Sequence, residues 1–243
     1  SAFDSSDAVS FFFFLIMILH IPNLLSLDEL NHCRQTLSQA EWTDGKATTG
    51  YQSAHLKNNL QLAQDSQQAL ELGQIIQNAA NANPLFFSAA LPKTFLPPLF
   101  NCYQHGGNFG MHVDNAIRRH PQLNQYLRTD VSCTVFLTNP DEYDGGELVI
   151  EDTFGTQEVK LPAGDAIVYP STSLHQVNPV TEGARIASFF WVQSFVSSDA
   201  QRRILFDLDQ NIQKLTIELS ATHEQVISLT GIYHNLLREW SDL

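Results

Sequence analysis

The chain has 243 residues and is 43% hydrophobic, which is enough for one β-barrel or sandwich domain with a small appendage. Its 26 acidic residues against 13 basic ones give a formal net charge of −13. Because nucleic acids and anionic membranes are bound by clustered Lys and Arg, this charge argues against both as partners. An anionic small molecule would need a specific cation, so each basic residue near a site is informative.

Three cysteines, Cys33, Cys102 and Cys133, lie far apart and form no C-x-x-C pair. An odd number of isolated cysteines is not typical of a disulfide framework or a zinc knuckle. We therefore expect buried thiols in a reducing compartment, and hence a cytoplasmic location.

An apolar run over residues 11–19 precedes the first predicted element. It is shorter than the roughly 20 residues that span a bilayer, and no Lys or Arg precedes it. Neither a membrane span nor a signal peptide is therefore predicted. Two interpretations stay open. Either residues 1–16 are an N-terminal extension or an added segment ahead of a natural start at Met17, or residues 11–21 form a buried strand.

Two helices are predicted ahead of the β-rich part, after a short strand over residues 18–21. Ser26 and Glu29 form a capping box, and the helix that it opens should run to about Ala40. A second helix is predicted over residues 65–81. We expect both helices to pack across the outside of a barrel.

From residue 85 onward the pattern becomes β. About eight short strands are separated by turns at intervals of roughly 8–12 residues, which is typical of a sandwich or jelly roll. We predict a mainly β fold with flanking helices, built on a double-stranded β-helix (jelly-roll) core within residues 17–196. The predicted strands cover residues 85–90, 99–103, 131–137, 147–150, 158–161, 166–170 and 185–195, and one more starts at His175.

Residues 197–243 are helical in pattern, with apolar residues three and four apart. Ser198-x-x-Gln201 and Thr222-x-x-Gln225 look like capping boxes. We predict a C-terminal extension of two antiparallel helices. Their apolar stripes pack as core or, alternatively, form a dimer interface.

A His-x-Asp pair, His112 and Asp114, follows a glycine-rich turn. On an extended strand, residues two apart point to the same face, so this imidazole and carboxylate can share a metal ion. His175, at a predicted strand start 63 residues later, could supply a third ligand. Two His and one carboxylate suit Fe(II) and leave half of its octahedron open.

Other polar residues near these ligands could also bind a metal or the substrate. Glu147, Glu151 and Asp165 are alternative metal ligands, although Asp165 in a Pro-Ala-Gly-Asp turn is expected to cap its own backbone. His105 and His120 flank the pair in sequence and are either substrate contacts or ordinary surface residues.

Four segments together resemble the Fe(II)/2-oxoglutarate dioxygenases, and within them the prolyl-4-hydroxylase-like branch. Residues 17–26, 50–62 and 188–195 are similar to the bacterial PKHD-type hydroxylases of the PiuC/YbiX-like group, and that resemblance extends over residues 17–243. The four segments are Tyr103-x-x-Gly106 leading to His112-x-Asp114, Tyr143-x-Gly145-Gly146-Glu147-Leu148, Pro162-x-Gly164-Asp165, and His175 with Arg185.

The resemblance implies a dioxygenase that hydroxylates an unactivated C–H bond with O₂ and releases succinate and CO₂. It implies Fe(II) bound by His112, Asp114 and His175, 2-oxoglutarate and O₂ as cosubstrates, and ascorbate as a reductant. Arg185 would bind the distal carboxylate of 2-oxoglutarate, because its planar guanidinium is a bidentate donor that stays charged. Tyr103 would donate a hydrogen bond to the cosubstrate or would simply be a packed aromatic.

Further residues are assigned to the pocket and its mouth. Trp191 lines the metal pocket or belongs to the core, and Phe136, like Phe109, stands where some animal prolyl hydroxylases have tyrosine. The cluster Arg118, Arg119 and Arg128 attracts an anionic substrate or is a solvated loop.

Two other functions compete. The first is a cupin-type metal enzyme that does not use 2-oxoglutarate, and the second is a non-catalytic jelly-roll binding module. For the hydroxylase we expect a small-molecule or a protein or peptide substrate, and a homodimer is plausible through the C-terminal helices.

Overall fold

A computed structural model of the chain describes residues 17–48, 52–152 and 155–243. Within these ranges the helices α1 to α5 are, in order, Leu27–Ser38, Gln67–Ala82, Pro84–Ala90, Asp199–Leu219 and Glu224–Trp240. Strands β1 to β8 are Leu19–Ile21, Trp42–Asp44, Lys57–Asn58, Leu60–Leu62, Pro92–Phe95, Leu99–Gln104, Asn108–His112 and Ile117–Arg119. Strands β9 to β16 are Tyr126–Arg128, Val131–Phe136, Tyr143–Gly145, Leu148–Asp152, Gly155–Val159, Ala166–Pro170, His175–Val177 and Val180–Ser194.

Two sheets form the predicted jelly roll. The large sheet runs in the order β1-β14-β10-β16-β6-β4-β2, with β5 and β11 also paired to β16. The small sheet runs in the order β13-β12-β15-β7-β3. A buried cluster that includes Tyr103, Phe136, Ile150, Tyr169 and Val177 joins strands of both sheets. The interior between the sheets is therefore a packed core, and the functional pocket opens from it.

The outer face of the large sheet is covered by helices, as predicted. Helix α1 begins at the capping box of Ser26 and Glu29 and contributes Cys33 and Leu37 to a large apolar cluster. Helix α2 contributes Leu72 and Ile76 to the same cluster, and strands β10, β14 and β16 supply its other side. Burial of these side chains fixes the large sheet behind the site.

One predicted strand is wrong. The run at residues 85–90 forms helix α3, because Asn83 caps it by accepting a hydrogen bond from the backbone N–H of Phe86 at 3.0 Å, with Pro84 in the first turn. The helix ends at Ala90, and its C-cap residue, Leu91, has φ of 43°. The aromatic run favoured β in isolation, but the cap and the proline start a helix.

The C-terminal extension is the predicted helical hairpin, and Ser198 caps α4. Helix α5 begins one residue later than expected, since its cap is His223 and not Thr222. The guanidinium of Arg202 is buried and donates to the backbone carbonyls of Val196 and Asp130, at 2.7 and 3.3 Å. These bonds attach the extension to the jelly roll.

The structure bears on the predictions for the N-terminal residues, the cysteines and a membrane span. Residues 1–16, and with them most of the alternative strand over residues 11–21, lie outside the described residues. Cys33, Cys102 and Cys133 are buried free thiols, as predicted. No helix in the described part of the chain is both long and apolar enough to cross a bilayer.

We expect Phe86→Ala to reduce the free energy of unfolding by about 3–5 kcal/mol, because it leaves a cavity in the core. The Phe86 ring is 0% exposed and its centroid lies 5.9 Å from Phe95 and 6.0 Å from Phe190. Phe87, one position along the same helix, is 47% exposed, so Phe87→Ala is a matched control with a loss below about 1 kcal/mol. Urea unfolding measures both, and equal losses would contradict the helical assignment.

Candidate metal centre

Strand pairing brings two of the predicted ligands together. In the small sheet β7 and β15 run antiparallel, and His112 lies directly opposite His175. The two imidazole ring centroids are 4.3 Å apart. Asp114 follows His112 by two residues, just past the end of β7, and its side chain returns to the same face. Residues 63 positions apart in sequence are thus neighbours because of the register of one strand pair.

The three side chains converge on one point. Oδ1 of Asp114 lies 3.6 Å from Nε2 of His112 and 3.6 Å from Nε2 of His175. One ligand atom from each residue lies within 4.8 Å of the others. No other group of three or more His, Cys, Asp or Glu side chains within the described ranges meets this criterion.

The far side of each imidazole is held by a backbone carbonyl. Nδ1 of His112 donates to the carbonyl of Gly110 at 2.7 Å, and Nδ1 of His175 donates to that of Ser173 at 2.9 Å. A carbonyl only accepts, so Nδ1 carries the proton and the Nε2 lone pair faces the centre. Burial lowers the pKa of His175, although Asp114 opposes this shift, and a neutral imidazole is the ligand form.

The carboxylate of Asp114 is held in the same way. Its Oδ2 accepts from Oγ of Ser132 at 2.7 Å and from Nε1 of Trp191 at 2.9 Å. Burial alone would raise the pKa of Asp114, but His175 and these hydrogen bonds together keep it well below its usual value. Asp114 is therefore ionised, with Oδ1 left for a metal.

These residues fit Fe(II). Two neutral nitrogen donors and one anionic oxygen approach from one side, each fixed by a second hydrogen bond, and the opposite side opens into a pocket. The alternative ligands are engaged elsewhere. Asp165 bonds Nε2 of His20 at 2.7 Å and the backbone N–H of Asn23, and Glu147 accepts from Asn178.

A buried cation lies at the closed end of this pocket. Arg185 on β16 is 2% exposed, and its guanidinium lies 5.5 Å from the ring of Tyr103 and 5.2 Å from that of Phe136. Its Nε has no hydrogen-bond partner, and no acidic side chain among the described residues is within ion-pair distance. A buried charge without a counter-ion is costly, so this position suits an anionic ligand.

The residues around Arg185 leave space for its side chain and place a hydrogen-bond donor near it. Burial raises the pKa of Tyr103 to about 12, so its hydroxyl is a permanent donor. A Cβ at Gly146, where φ is +69°, would lie 2.8 Å from Val180 and 3.1 Å from Cδ of Arg185. Glycine at this position admits the arginine stem, which explains the Gly-Gly pair seen in the sequence.

The open end of the pocket is aromatic and basic. The ring of Phe109 stacks on His112 at 3.6 Å between centroids. The guanidinium of Arg118 lies 4.2 Å from the ring centre of Trp191. Lys57 on β3 also lines the pocket, although it is only 4% exposed, and burial together with Arg118 lowers its pKa to about 8.

The structure separates the three arginines predicted at the mouth. Arg118 lines the pocket, whereas Arg119 bonds Asn124 and Arg128 forms an ion pair with Asp130 at 2.6 Å. Neither Arg119 nor Arg128 is among the residues around the pocket.

The remaining residues that were predicted for the site do not line the pocket. Phe136 packs beneath Arg185 in the core between the sheets. His120 accepts hydrogen bonds from the backbone of Gln122 and Leu123, and His105 lies in the glycine turn with φ of 53°.

Sequence reasoning missed Lys57, Ser132 and Asn101. All three line the pocket, and Oδ1 of Asn101 is buried without a hydrogen-bond partner. In the sequence, Lys57 is only a single lysine within a short strand pattern. The residues that surround it in the fold are distant in sequence, so the pattern gives no sign of the pocket.

We expect Trp191→Phe to weaken Fe(II) binding by about 10–100-fold, because it removes the hydrogen bond that orients the Asp114 carboxylate. Anaerobic titration of the apoprotein with Fe(II) measures the change. Trp42→Phe, at the far edge of the large sheet, is the matched control and should bind Fe(II) as the wild type does. Equal affinities of both variants would show that the Trp191 bond does not orient the ligand.

Comparisons with known proteins show the family of the chain. Residues 98–193 match the 2OG-Fe(II) oxygenase superfamily, and residues 199–242 match the PKHD-type hydroxylase C-terminal domain. The PKHD-type hydroxylase PiuC of Pseudomonas aeruginosa is 56% identical over 227 residues, which are 93% of this chain and 100% of that protein.

Solved structures show the same fold. A prolyl hydroxylase from Trichoplax adhaerens, in complex with a hypoxia inducible factor peptide, has a TM-score of 0.56 at 14% identity. The match covers 77% of this chain and 86% of that one. A prolyl-4-hydroxylase from Pseudomonas putida has a TM-score of 0.50 at 18% identity, over 73% and 93% of the two chains. The chain therefore belongs to the PKHD-type hydroxylases, which are Fe(II)- and 2-oxoglutarate-dependent oxygenases that use O₂.

Proposed function

We propose that His112, Asp114 and His175 bind the catalytic Fe(II) of this hydroxylase and that Arg185 binds the distal carboxylate of 2-oxoglutarate. One observation carries the proposal. Three oriented ligand atoms and a buried arginine without a carboxylate partner line the same pocket. A metal-binding jelly roll that did not use 2-oxoglutarate would have no need of that cation.

The protein's part in the reaction is to bind and orient. Bound Fe(II) supplies O₂ activation with 2-oxoglutarate as the electron source, so that succinate, CO₂ and a hydroxylated product are formed. The three protein ligands leave the other metal positions open toward the pocket. Arg185 fixes the far end of 2-oxoglutarate through a planar, bidentate pair. The hydroxyl of Tyr103 stays protonated and donates a hydrogen bond beside it.

The walls of the pocket keep the reaction away from bulk water. Phe109 covers one face of the His112 ring, and Phe136 backs the guanidinium of Arg185. Trp191 closes the side next to Asp114. An environment with little water strengthens each charge interaction inside it.

The substrate is a small molecule or a peptide that enters from the open end. The pocket is lined by aromatic and aliphatic side chains together with a few polar and charged ones, which is typical of small-ligand sites. We assign Arg118 to the substrate side, because it lines this opening against Trp191. Arg119 and Arg128 have no such contact and are left out of the proposed site.

The test is an anaerobic titration of the apoprotein with Fe(II) and 2-oxoglutarate, followed by the visible charge-transfer band of the complex. We expect a band in the wild type and none in His175→Ala. Arg185→Met should weaken 2-oxoglutarate binding by at least about 30-fold, because a buried charged pair loses one partner.

Arg203→Met is the matched control, since Arg203 pairs with Asp207 on the surface of α4, and it should leave the band unchanged. Wild-type 2-oxoglutarate affinity in Arg185→Met would remove Arg185 from the site. An iron-replete, active His175→Ala enzyme would refute the metal assignment.

We also propose that the chain acts as a homodimer through the C-terminal extension, residues 197–243, which is attached to a catalytic domain of residues 17–196. Ile217, Ile227 and Ile232 on its two helices are 87%, 59% and 48% exposed, more than apolar side chains prefer. Light scattering should give twice the monomer mass for the wild type and the monomer mass for Ile217→Glu/Ile227→Glu. A monomeric wild type would contradict this.

Two further parts of the proposal rest on the family and the thiols. The three buried free cysteines support a reducing, cytoplasmic location. The similarity to prolyl hydroxylases supports ascorbate as a reductant that restores Fe(II) between turnovers.

A further inference from the structure

Asn101 on β6 brings a buried amide group into the pocket without a matching partner in the fold. The residue is 7% exposed and lines the pocket. Its Oδ1 is buried and has no hydrogen-bond partner among the described residues. Unpaired buried polar groups are rare in native proteins, because each one costs free energy. This amide therefore suits a ligand that it meets in the pocket.

The register of the large sheet places Asn101 next to the proposed 2-oxoglutarate cation. Asn101 lies two residues from Tyr103 on β6, so both side chains point to the same face of the sheet. On the neighbouring strand β16, Arg185 is opposite Tyr103, and Ala187 is opposite Asn101. Two residues of a strand correspond to about 7 Å. Asn101 thus stands one such step away from the row of Tyr103 and Arg185.

This step leads toward the candidate metal centre. Four residues beyond Ala187 on β16, Trp191 donates a hydrogen bond to Oδ2 of Asp114. Ala187 shares the face of Arg185 and Trp191 by alternation, and it carries only a methyl group. The sheet therefore leaves room beside Asn101 for a ligand that extends from Arg185 toward the metal ligands.

The amide of Asn101 can offer either a donor or an acceptor, because a rotation of 180° about Cβ–Cγ exchanges Nδ2 and Oδ1. 2-Oxoglutarate has only acceptor oxygen atoms, so it would meet the amide through Nδ2. On the other side of Asn101, β4 places Gln61 directly opposite. Oε1 of Gln61 accepts from Lys57 at 3.0 Å, and the NH₂ end of the same amide is a donor that can serve Oδ1 of Asn101.

We infer that Asn101 binds 2-oxoglutarate and that its Nδ2 donates to the carboxylate at the oxo-acid end, the end that faces the metal. This inference rests on the proposed function, since it adds a contact to the cosubstrate whose distal carboxylate is assigned to Arg185. A hydrogen bond to an ionised acceptor is stronger than one between neutral groups. With Arg185 at one end and Asn101 at the other, the fold sets the direction of 2-oxoglutarate as well as its position.

The test compares two acids that differ at the distal end alone. 2-Oxobutyrate is 2-oxoglutarate with the distal carboxylate replaced by hydrogen, so it keeps the oxo-acid end. Each acid is titrated anaerobically into the Fe(II) protein, and the charge-transfer band gives its affinity. We expect Asn101→Leu to weaken both acids by a similar factor of about ten or more, because both lose the same hydrogen bond. Arg185→Met should weaken 2-oxoglutarate alone.

Two further variants and a second readout separate a lost contact from damage to the fold. Asn101→Ala should show the same loss as Asn101→Leu, although it leaves space in place of a bulky side chain. Asn211→Leu, on the exposed surface of α4, is the matched control and should bind both acids as the wild type does. Replacing an unpaired buried amide breaks no hydrogen bond of Oδ1, so the urea midpoint of the Asn101→Leu apoprotein should equal or exceed that of the wild type.

The inference is overturned by a wild-type affinity of Asn101→Leu for 2-oxobutyrate or by a loss that is confined to 2-oxoglutarate. A loss of affinity that comes with a lowered urea midpoint would assign Asn101 to the fold instead. If the wild type shows the band and Arg185→Met behaves as expected, an unchanged Asn101→Leu contradicts the Asn101 contact alone. A wild type without a band contradicts the proposed cofactor assignment and the Asn101 contact together.

Discussion

The carboxylate of Asp114 joins the two sheets at the candidate metal centre. Its Oδ1 faces the imidazoles of His112 and His175, which belong to the small sheet, while its Oδ2 accepts from Ser132 and Trp191 of the large sheet. Both oxygen atoms are therefore used, and neither sheet alone contains a complete site. A shift of one sheet against the other would break either the ligand geometry or the hydrogen bonds that keep Asp114 ionised. The packed core between the sheets is thus a condition for the geometry of the candidate metal centre as well as for stability.

Strand β16 makes the same connection between stability and function. Its residues alternate, so that Arg185, Phe189 and Trp191 face the pocket while Ile186 and Val192 pack in the cluster beneath the helices. A shift of one residue in register would exchange these two faces. The helix packing that covers the outer face of the large sheet therefore also determines which side chains line the pocket. This explains why a core substitution such as Phe86→Ala is expected to affect folding before it affects chemistry.

Much of the fold and of the ligand set follows from local patterns. The spacing of His112 and Asp114 on an extended strand, and the capping residues of α1 and α4, require no knowledge of distant contacts. Helix α3 was missed because an aromatic run outweighed the cap at Asn83. Lys57 could not be found in this way, since its place opposite Phe109 is set by the pairing of β3 with β7.

The arginines at the mouth illustrate the same limit. Arg118 and Arg119 are adjacent, but successive residues of β8 point to opposite faces, so only one of them enters the pocket. Arg128 lies on the paired strand β9, but its guanidinium forms an ion pair with Asp130, two residues later. The sequence groups the three arginines because they lie close together along the chain. In the structure, the pleat of β8 turns Arg119 away from the pocket, and the carboxylate of Asp130 pairs with Arg128.

The two ends of the pocket differ in how firmly the fold holds them. Arg185 stands on β16 at the centre of the large sheet and is buried by Tyr103 and Phe136 on either side. Lys57 stands on β3, the edge strand of the small sheet, and Arg118 on a separate two-stranded ribbon of β8 and β9. A substitution on an edge strand or a ribbon disturbs fewer neighbours than one on a central strand. The position proposed for the constant cosubstrate is thus built into the core, and the position proposed for the substrate is built on the periphery. Substrate preference can then change through Arg118 while the proposed metal ligands and the 2-oxoglutarate end keep their geometry.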